Sequence, residues 1–351
     1  MKPARRTILY SLNSASQGGA NRSLAVLLAG LNRRRFRPLA VLPKEGPMLE
    51  RLADLDVPAW IMPLCSMARI RTRAGGRLKA AVRNTLNLAR LGRLLERESV
   101  DLVHSNTIFP LGGALAAALA PLPHIWHLRE GIDAPTYDLR FGRPLARQAF
   151  AALADRLICI SQYVRQTSVP HRARQRSVVI YNAVEKLPPP CPYELHSAPL
   201  VACVGLIGTK KRTRLFVEAA VSIARQVPTC RFTVAGRPVA GEEEVLEDCR
   251  DRVREAGLSD RFHWPGFISD PEPLYRRSDL LVHPGVNEGF GRVLVEAMSH
   301  GTPVVSVRSG AIPEIVNDGV NGLLVAPDDV EALARAAVDC LTQPSLHPRL
   351  A

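Results

Sequence analysis

Residues 279–307 of this chain read DLLVHPGVNEGFGRVLVEAMSHGTPVVSV and contain the pattern from which its architecture can be inferred. The apolar run at 280–283 predicts a buried strand, residues 293–298 predict a helix, and residues 303–307 predict a second strand. Strand, loop, helix and strand form a crossover unit with parallel strands, whose ligand site lies at the carboxyl end of the first strand. In this chain that end carries a loop containing Glu288.

Two glutamates frame the loop and the helix of this unit. Glu288 precedes Gly289 and Gly291 in the loop, and Glu296 follows inside the helix. Backbone N–H groups at a helix start can hold a phosphate, while each carboxylate accepts hydrogen bonds from hydroxyl groups. A bare pair of glutamates is more often a solvated helix face, but the flanking strands argue against that interpretation. The pattern indicates a ligand that is anionic in its middle and hydroxyl-rich at both ends, such as a nucleotide sugar.

With these residues the chain resembles the family-4 retaining glycosyltransferases of the GT-B fold, whose signature is a glutamate, seven residues and a second glutamate. The resemblance extends from Gly18 and Gly19 to residues 317–325. It implies that Glu288 contacts the hydroxyls of the donor sugar and that Glu296 contacts the ribose. It also implies that the donor diphosphate is bound by the backbone around Gly289, Phe290, Gly291, Arg292 and Val293.

The resemblance further implies retention at the anomeric carbon, with no metal and no other cofactor, because the nucleotide sugar is itself the substrate. Such transferases react on one face, and the donor phosphate accepts the proton of the acceptor. Glu288 therefore positions the donor rather than attacking it. The catalytic residues implied by the resemblance are His127, Glu288 and Lys211.

Alternation of strand-type and helix-type segments along the chain predicts an α/β protein with parallel sheets. Residues 186–199 are rich in proline and predict an interdomain linker. We therefore expect two Rossmann-like domains that face each other across a cleft, an acceptor-binding domain at 1–185 and a nucleotide-sugar donor-binding domain at 200–351. The predicted strands are 7–12, 39–42, 59–62, 102–104, 124–127, 156–160 and 178–181 in the first domain, and 200–204, 231–235, 261–264, 280–283 and 304–307 in the second.

Two loops of the N-terminal half follow predicted strands, and both are candidates for the same site. Gly18 and Gly19 precede an apolar helix, and paired glycines let the backbone approach a ligand closely. His127 ends another strand, where a lone histidine is more often a structural side chain than a catalyst. The resemblance implies that the glycines lie near the donor phosphate and that His127 reaches toward the donor sugar. It places Arg22, Arg129 and Glu130 on the acceptor side.

Three loops of the C-terminal half complete the candidate site. After Gly205 the resembling family has an arginine, where this chain has Leu206, and a lysine five positions further, where it has Lys211. The candidates for replacing the arginine are Lys210, Arg212 and Arg214, and a basic surface turn is the alternative explanation of these cations. The resemblance assigns Gly266, Phe267 and Ile268 to the nucleobase and Glu314 to a turn over the donor sugar, although Glu314 could instead complement a helix dipole.

The formal net charge of +13 is concentrated in the N-terminal half. Residues 1–185 carry 28 Lys and Arg against 12 Asp and Glu, whereas residues 186–351 carry 18 against 21. The densest cations interleave with leucines from residue 78 onward and predict a basic amphipathic helix, which suits either an anionic membrane surface or an ordinary solvated face. Nucleic acid is not expected as a partner, because no aromatic residues interleave with these cations. The cations are Arg69, Arg71, Arg73, Arg77, Lys79, Arg83, Arg90, Arg93 and Arg97.

Cysteine usage and hydropathy indicate a cytoplasmic protein. The seven cysteines are scattered and odd in number, which suggests free core thiols in a reducing compartment. No signal peptide is predicted, and the most apolar stretch, at 111–122, is too short to span a bilayer, which needs about 20 residues. The expected location is the cytoplasm, with peripheral binding at the inner face of the cytoplasmic membrane.

Three functions are compatible with these patterns. The favoured one is a glycosyltransferase of the hexosyltransferase type that acts on a glycan or lipid-linked acceptor in cell-surface polysaccharide or glycolipid synthesis. A sugar-nucleotide epimerase or a sugar phosphorylase on the same fold is the second. The third is a non-catalytic subunit that binds a sugar nucleotide, and the absence of an arginine at Leu206 supports it.

Overall fold

The computed structural model describes residues 5–67, 74–133, 139, 142–184, 196–343, 346 and 350, with the side chains at 74–78 and 80 left undescribed. The chain divides into two compact units, Met1–Ala183 (unit 1) and Val184–Ala351 (unit 2). Most of the predicted linker at 186–199 lies outside the described residues, as do Arg69, Arg71, Arg73 and the side chain of Arg77.

Unit 1 contains a parallel sheet flanked by helices. Its described strands have the order β3-β2-β1-β4-β5-β6-β7. The strands are β1 (Arg6–Ser11), β2 (Phe36–Leu42), β3 (Ala59–Ile61), β4 (Leu102–Asn106), β5 (His124–Leu128), β6 (Arg156–Cys159) and β7 (Ser177–Val179). The helices are α1 (Gly19–Ala29), α2 (Pro47–Asp54), α3 (Ala74–Arg97), α4 (Leu111–Leu119), α5 (Gly142–Leu153) and α6 (Gln162–Ser168), with a 3-10 helix at His171–Arg176.

Unit 2 repeats this architecture with the strand order β10-β9-β8-β11-β12-β13. Its strands are β8 (Leu200–Val204), β9 (Arg231–Ala235), β10 (Phe262–Gly266), β11 (Leu280–His283), β12 (Val304–Val307) and β13 (Leu323–Val325). Its helices are α7 (Thr213–Gln226), α8 (Glu243–Glu255), α9 (Glu272–Arg277), α10 (Arg292–Ser299), α11 (Ile312–Ile315) and α12 (Val330–Thr342), with a 3-10 helix at Ser259–Arg261.

Alternation along the central strands places hydrophobic cores on both faces of each sheet. In β1, Ile8 and Tyr10 belong to one core cluster and Leu9 to another. In β8, Val201 and Ala202 likewise belong to separate clusters. Successive strand side chains point to opposite faces, so a strand that is covered on both sides must be apolar at nearly every position. This is why the strands were recognisable in the sequence as short continuous apolar runs.

The crossover unit predicted from residues 279–307 is present. Strand β11 leads through a loop into α10, and β12 then pairs with β11 in parallel, with Leu281 opposite Val304. Gly291 stands before α10 in the left-handed region, at φ 82° and ψ 47°. The α/β fold with parallel sheets is therefore confirmed in both units. Strand β13, which pairs with β12 at the edge of the sheet, was not predicted.

The described cysteines are free thiols, as predicted for core residues. Five of them are buried, and burial raises the pKa of each of these thiols to about 12: Cys159, Cys203, Cys230, Cys249 and Cys340. Cys65 is partly exposed, and Cys191 lies outside the described residues.

Candidate functional site

The loop that carries Glu288 in unit 2 is held by backbone contacts with the turn after β12. The amide of Asn287, itself at φ 54°, donates to Ser309 Oγ, and the amide of Ala311 donates to the carbonyl oxygen of Glu288 at 2.8 Å. Between them Gly310 adopts φ 60°, and a Cβ there would lie 2.4 Å from the Glu288 carbonyl oxygen. Glycine is required at this position because of both its conformation and the close approach.

Glu288 is a buried carboxylate paired with a lysine from another loop. Lys211 Nζ donates to Glu288 Oε1 at 2.7 Å, and the exposed fractions of the two side chains are 24% and 11%. His283, at the end of β11, places Nε2 3.6 Å from the same oxygen. Burial alone would raise the pKa of Glu288, but the charge of Lys211, the imidazole of His283 and the charge of Lys210 outweigh it and hold this pKa well below its usual range. Glu288 is therefore ionised at neutral pH.

Glu296 belongs to a second polar cluster on α10. Its Oε1 accepts from Arg292 Nε at 2.6 Å, and its Oε2 accepts from the hydroxyl of Tyr275 at 2.9 Å. The side chains of Arg292 and Glu296 are 13% and 9% exposed. The two glutamates of the predicted motif therefore have different partners. Each carboxylate is oriented by a cation and retains capacity to accept further hydrogen bonds.

The cations that follow β8 have separate partners. Arg212 pairs with Asp328, and Arg214 pairs with Asp248 on α8 at 2.6 Å. These pairs direct both guanidinium groups toward partners other than Glu288, which argues against them as substitutes for the arginine expected at Leu206. Leu206 itself is 45% exposed.

Lys210 remains the best placed of the three proposed substitutes. Its carbonyl oxygen accepts from the amide of Val286 at 3.2 Å, which ties the lysine loop to the loop carrying Glu288. Its positive charge also lowers the pKa of Glu288. Gly205, at φ 149°, precedes this loop, and a Cβ on Gly236 would lie 1.7 Å from the Gly205 carbonyl oxygen, so the loops after β8 and β9 touch through backbone.

The remaining donor-side predictions lie at ends of other strands in unit 2. Gly266 ends β10 at φ 74°, and Phe267 is 58% exposed, with the guanidinium of Arg237 5.8 Å from its ring centroid. Ile268 instead packs against the core. Glu314 lies in the first turn of α11 and is half-buried. Phe290 is buried, which leaves its backbone but not its ring as a ligand contact.

In unit 1 the predicted glycine loop leads into α1. Gly18 caps the helix with extended backbone, and Gly19 is the first helical residue. The buried side chain of Asn21 donates to the carbonyl oxygens of Ser14 and Ser16, which fixes the loop ahead of the glycines. Arg22, half-buried, follows on the same helix.

His127 and Arg129 lie together at the end of β5. Arg129 is 5% exposed, and its Nε and Nη1 donate to the Oδ1 atoms of Asn106 and Asn182. Its Nη2 lies 3.4 Å from His127 Nδ1. His104 on β4 packs against His127 with ring centroids 5.4 Å apart. Burial lowers the pKa of His127 well below its usual range, and the charge of Arg129 and the neighbouring His104 add to the effect.

Glu130, for which contact with the acceptor stays a prediction, makes a structural contact in unit 1. Its Oε2 accepts from the amide of Ile108 at 3.3 Å. Thr107, which precedes Ile108, is a β-branched residue at φ 85°, and its hydroxyl donates to Asn13 Oδ1 at 2.9 Å. Polar groups from the ends of β1, β4 and β5 thus converge in unit 1. In the described part of the chain no group of three or more His, Cys, Asp or Glu side chains is arranged to hold a metal ion.

Several polar residues of these clusters were not predicted as site residues from the sequence, among them Tyr275, His283, His104, Asn106 and Asn182. Tyr275 and Glu296 are 21 positions apart, and Arg129 and Asn182 are 53 apart, so no local pattern links them. The pairing of Arg292 with Glu296 did have a local signal, the four-residue spacing that brings helix side chains together.

Two family models match the chain. Residues 17–186 match the model described as Glycosyltransferase Family 4, and residues 198–343 match the one described as Glycosyl transferases group 1. The chain belongs to the family-4 glycosyltransferases.

Solved structures establish the fold of this family-4 glycosyltransferase. HepE of Anabaena, solved in complex with UDP and glucose, has a TM-score of 0.80 with 22% identity, over 98% of this chain and 92% of HepE. The apo form of the lipopolysaccharide outer core galactosyltransferase WaaB has a TM-score of 0.68 with 16% identity, over 98% and 93%. These are GT-B glycosyltransferases, and the predicted GT-B fold is confirmed.

Curated relatives are similar over part of their length. The lipopolysaccharide core biosynthesis mannosyltransferase LpcC of Rhizobium leguminosarum is 38% identical over 147 residues, which cover 42% of this chain and 42% of LpcC. The chain thus matches about two fifths of the length of this relative. An uncharacterised glycosyltransferase of Methanocaldococcus jannaschii is 28% identical over 76% of this chain and 72% of its own length.

Proposed function

We propose that this protein is a glycosyltransferase that moves a sugar from a nucleotide-sugar donor to a glycan or lipid-linked acceptor in cell-surface polysaccharide or glycolipid synthesis. The observation that carries the proposal is the ion pair between half-buried Lys211 and buried Glu288, in the loops that follow β8 and β11. Family membership supports the reaction class. HepE, solved with UDP-glucose, and the mannosyltransferase LpcC support a nucleotide-sugar donor and a surface-glycan product.

The ion pair provides groups for both parts of such a donor. A diphosphate can take the place of the carboxylate at Lys211 Nζ, because both are anionic oxygen acceptors. Glu288 is then freed from the lysine and accepts hydrogen bonds from sugar hydroxyls. Amides at the start of α10 bind phosphate oxygens, and Glu296, oriented by Arg292 and Tyr275, accepts from the ribose.

Bond breakage places negative charge on the departing diphosphate, so the cation at Lys211 stabilises the transition state more than the ground state. The bond between the anomeric carbon and the diphosphate oxygen breaks, the acceptor oxygen bonds to that carbon on the same face, and the acceptor proton passes to the diphosphate. Configuration is therefore retained. This scheme assigns no metal or other cofactor, and Glu288 positions the sugar throughout.

A donor panel tests the reaction. Purified protein is incubated with UDP-, GDP-, ADP- and dTDP-sugars, and release of nucleoside diphosphate is measured with and without glycan or lipid-linked acceptors. We expect acceptor-dependent release with one donor class. Epimerised donor or a requirement for phosphate would support an epimerase or a phosphorylase, whereas binding without turnover would support a non-catalytic subunit. Thermal shift with each nucleotide identifies the base, because a bound ligand stabilises the folded state.

Glu288→Gln links the reaction to the site. The amide keeps the shape of the side chain but removes its charge, and turnover should fall while the fold persists. The matched control is Glu331→Gln, since Glu331 is 86% exposed on α12 and contacts only Arg335 among the described ion pairs. Unchanged transfer by Glu288→Gln would refute the assignment of this residue.

Helix α3 suggests where the acceptor is reached. Val82 and Leu86 are exposed at 53% and 57% and line a shallow depression together with Lys79, Arg83 and Arg90. An apolar strip flanked by cations matches an anionic bilayer surface, to which each basic residue contributes about 1 kcal/mol. We propose that this face docks on the cytoplasmic leaflet. Among the described residues, no helix combines the length and hydrophobicity needed to cross a membrane.

Vesicle binding tests this surface. The protein should sediment with vesicles of phosphatidylglycerol and phosphatidylcholine but much less with phosphatidylcholine alone. Val82→Ser with Leu86→Ser should reduce the bound fraction, whereas Leu119→Ser, which changes a leucine that is 72% exposed on α4, should not. Equal binding by the double variant would show that α3 is an ordinary solvated helix.

A further inference from the structure

We infer that Arg129 is a positioning residue that fixes the tautomer of His127, so that His127 offers an Nε2–H group as a hydrogen-bond donor to a ligand. The inference rests on the proposed function only for the ligand group that accepts this hydrogen bond, a neutral sugar hydroxyl. It also assigns Arg129 a role different from the one that the sequence resemblance implied, which was contact with the acceptor substrate.

The first step is the fixed orientation of the guanidinium group. Asn106, at the end of β4, accepts from Arg129 Nε, and Asn182, three residues after β7, accepts from Nη1. Asn106 is itself fully buried and donates to Asn21 Oδ1 at 3.4 Å, so the loop before the glycines belongs to the same network. Two amide oxygens from separate strands thus direct the third nitrogen of Arg129 at His127.

The second step follows from the chemistry of arginine. A guanidinium group has only N–H donors and no acceptor. Its Nη2 lies 3.4 Å from His127 Nδ1, and this contact is favourable only when Nδ1 carries a lone pair. In a neutral imidazole the proton must then be on Nε2.

The third step concerns the atom that carries that proton. His127 is 4% exposed, and its Nε2 has no hydrogen-bond partner in the described part of the protein. A buried N–H group without an acceptor is unfavourable, so a ligand atom that accepts from Nε2 supplies the missing hydrogen bond on binding. The backbone carbonyl oxygen of His127 already accepts a hydrogen bond from the amide of Thr107.

The fourth step is the charge state. Burial, Arg129 and His104 lower the pKa of His127 well below its usual range, and burial lowers the pKa of His104 to about 3. Both rings are therefore neutral at physiological pH. A neutral Nε2–H group can donate to an uncharged sugar hydroxyl without placing a second positive charge beside Arg129.

Nuclear magnetic resonance of protein labelled with ¹⁵N-histidine reads the tautomer directly. Two-bond ¹⁵N–¹H correlations distinguish a protonated ring nitrogen from one with a lone pair, and the His127 signals are assigned by their loss in His127→Gln. At pH 7 we expect a protonated Nε2 and an unprotonated Nδ1. A proton on Nδ1, or on both nitrogens, would overturn the inference. This measurement needs neither a nucleotide-sugar donor nor turnover, so its result is independent of the proposed function.

Two variants of Arg129 separate positioning from general structure. Arg129→Lys retains a donor and should keep the Nε2–H tautomer, whereas Arg129→Met should give a mixture of tautomers. An unchanged tautomer in a folded Arg129→Met protein would show that Arg129 does not determine it. Should the methionine variant fail to fold, the wild-type spectrum still decides the protonated nitrogen.

Activity distinguishes the two ring positions. A glutamine amide nitrogen reaches about as far as Nε2, whereas an asparagine amide reaches only as far as Nδ1. With the donor found in the panel, His127→Asn should therefore turn over roughly tenfold more slowly than His127→Gln, the equivalent of about 1.4 kcal/mol for one hydrogen bond. Equal losses in the two variants would count against an Nε2–H contact with the substrate.

Discussion

Units 1 and 2 both place polar clusters at the carboxyl ends of parallel strands, yet the two clusters are held in different ways. In unit 1, the amide side chains of Asn106 and Asn182 accept from Arg129, while burial, Arg129 and His104 keep His127 neutral. In unit 2, Lys211 and Glu288 neutralise each other directly. The ends of parallel strands therefore determine where a polar cluster lies, but not whether its groups are charged or neutral.

This difference determines what each cluster can exchange with a ligand. Unit 2 holds the ion pair of Lys211 and Glu288. An anionic, hydroxyl-rich ligand can replace both partners, with its anionic group at Lys211 and its hydroxyls at Glu288. The described partners of Arg129 in unit 1 include the amides of Asn106 and Asn182 and the imidazole of His127, which is an uncharged donor. The contrast predicts that substitutions in unit 2 affect the binding of phosphate and other charged groups. Substitutions in unit 1 should affect the recognition of uncharged groups and the stability of the protein in acid.

The largest expected effect tests whether the backbone positions Glu288. Gly310→Ala should destabilise unit 2 by about 3 kcal/mol, because the new Cβ meets the Glu288 backbone and φ 60° is strained for alanine. Hydrogen exchange should accelerate around β11 and β12 but not in β4 and β5. Gly319→Ala is the control, since Gly319 has φ 74° with nothing within 4 Å of an added Cβ, and it should cost about 1 kcal/mol. Equal costs would mean that the turn does not constrain Glu288.

Next in size is the loss of the exchangeable cation. Lys211→Met should lower kcat about 100-fold, or about 2.7 kcal/mol, because the diphosphate loses a preorganised positive charge as it departs. Steady-state kinetics with the donor found in the panel measures this. Arg214→Met is the control, since Arg214 pairs with Asp248 on α8. A similar loss in both variants would place the diphosphate elsewhere in the loop.

Acid should weaken unit 1 through its buried histidines. The folded-state pKa of His104, about 3, is below the unfolded value of about 6.5, so the unfolded chain binds the extra proton below pH 6.5. Stability is then complete above that pH and falls on acidification toward pH 3, by up to about 1.4 kcal/mol per pH unit for each such histidine. Hydrogen exchange of β4 and β5 amides at pH 7, 6 and 5 measures the slope. His104→Phe should reduce it, and an unchanged slope would contradict the argument.

The smallest expected effect concerns the second glutamate. Tyr275→Phe removes one hydrogen bond to Glu296 and should cost about 1 kcal/mol of stability, while Arg292 still holds the other oxygen. Urea unfolding measures the loss. If Glu296 contacts the ribose, KM for the donor should also rise while kcat stays constant. A fall in kcat without a change in KM would instead link Glu296 to the bond-breaking step.

Much of the fold could be predicted because the decisive signals are local. The strands Leu200–Val204, Arg231–Ala235, Leu280–His283 and Val304–Val307 have the predicted bounds, since each is a short, mostly apolar segment. Strand β13 was missed because three residues at a sheet edge form no recognisable pattern, and its identity depends on pairing with β12.

The ligand site at these strand ends stays a prediction, and the side-chain contacts within it could not be inferred from the sequence. The glycine loop and the spacing of Glu288 and Glu296 indicated where a ligand would bind. The partners of these carboxylates come from residues far away in sequence, as the 77 positions between Lys211 and Glu288 illustrate. Arg129 was expected to face the acceptor, and only the three-dimensional structure shows its guanidinium directed at Asn106, Asn182 and His127.

The buried thiols have a practical consequence for experiments on this protein. Five cysteines are buried and have a pKa raised to about 12, so they supply almost no thiolate for attack on maleimides or iodoacetamide. Among the described cysteines only Cys65 is partly accessible. Replacing Cys65 with serine would remove the one partly accessible thiol among the described cysteines, so that an engineered surface cysteine could be labelled with little competition from them.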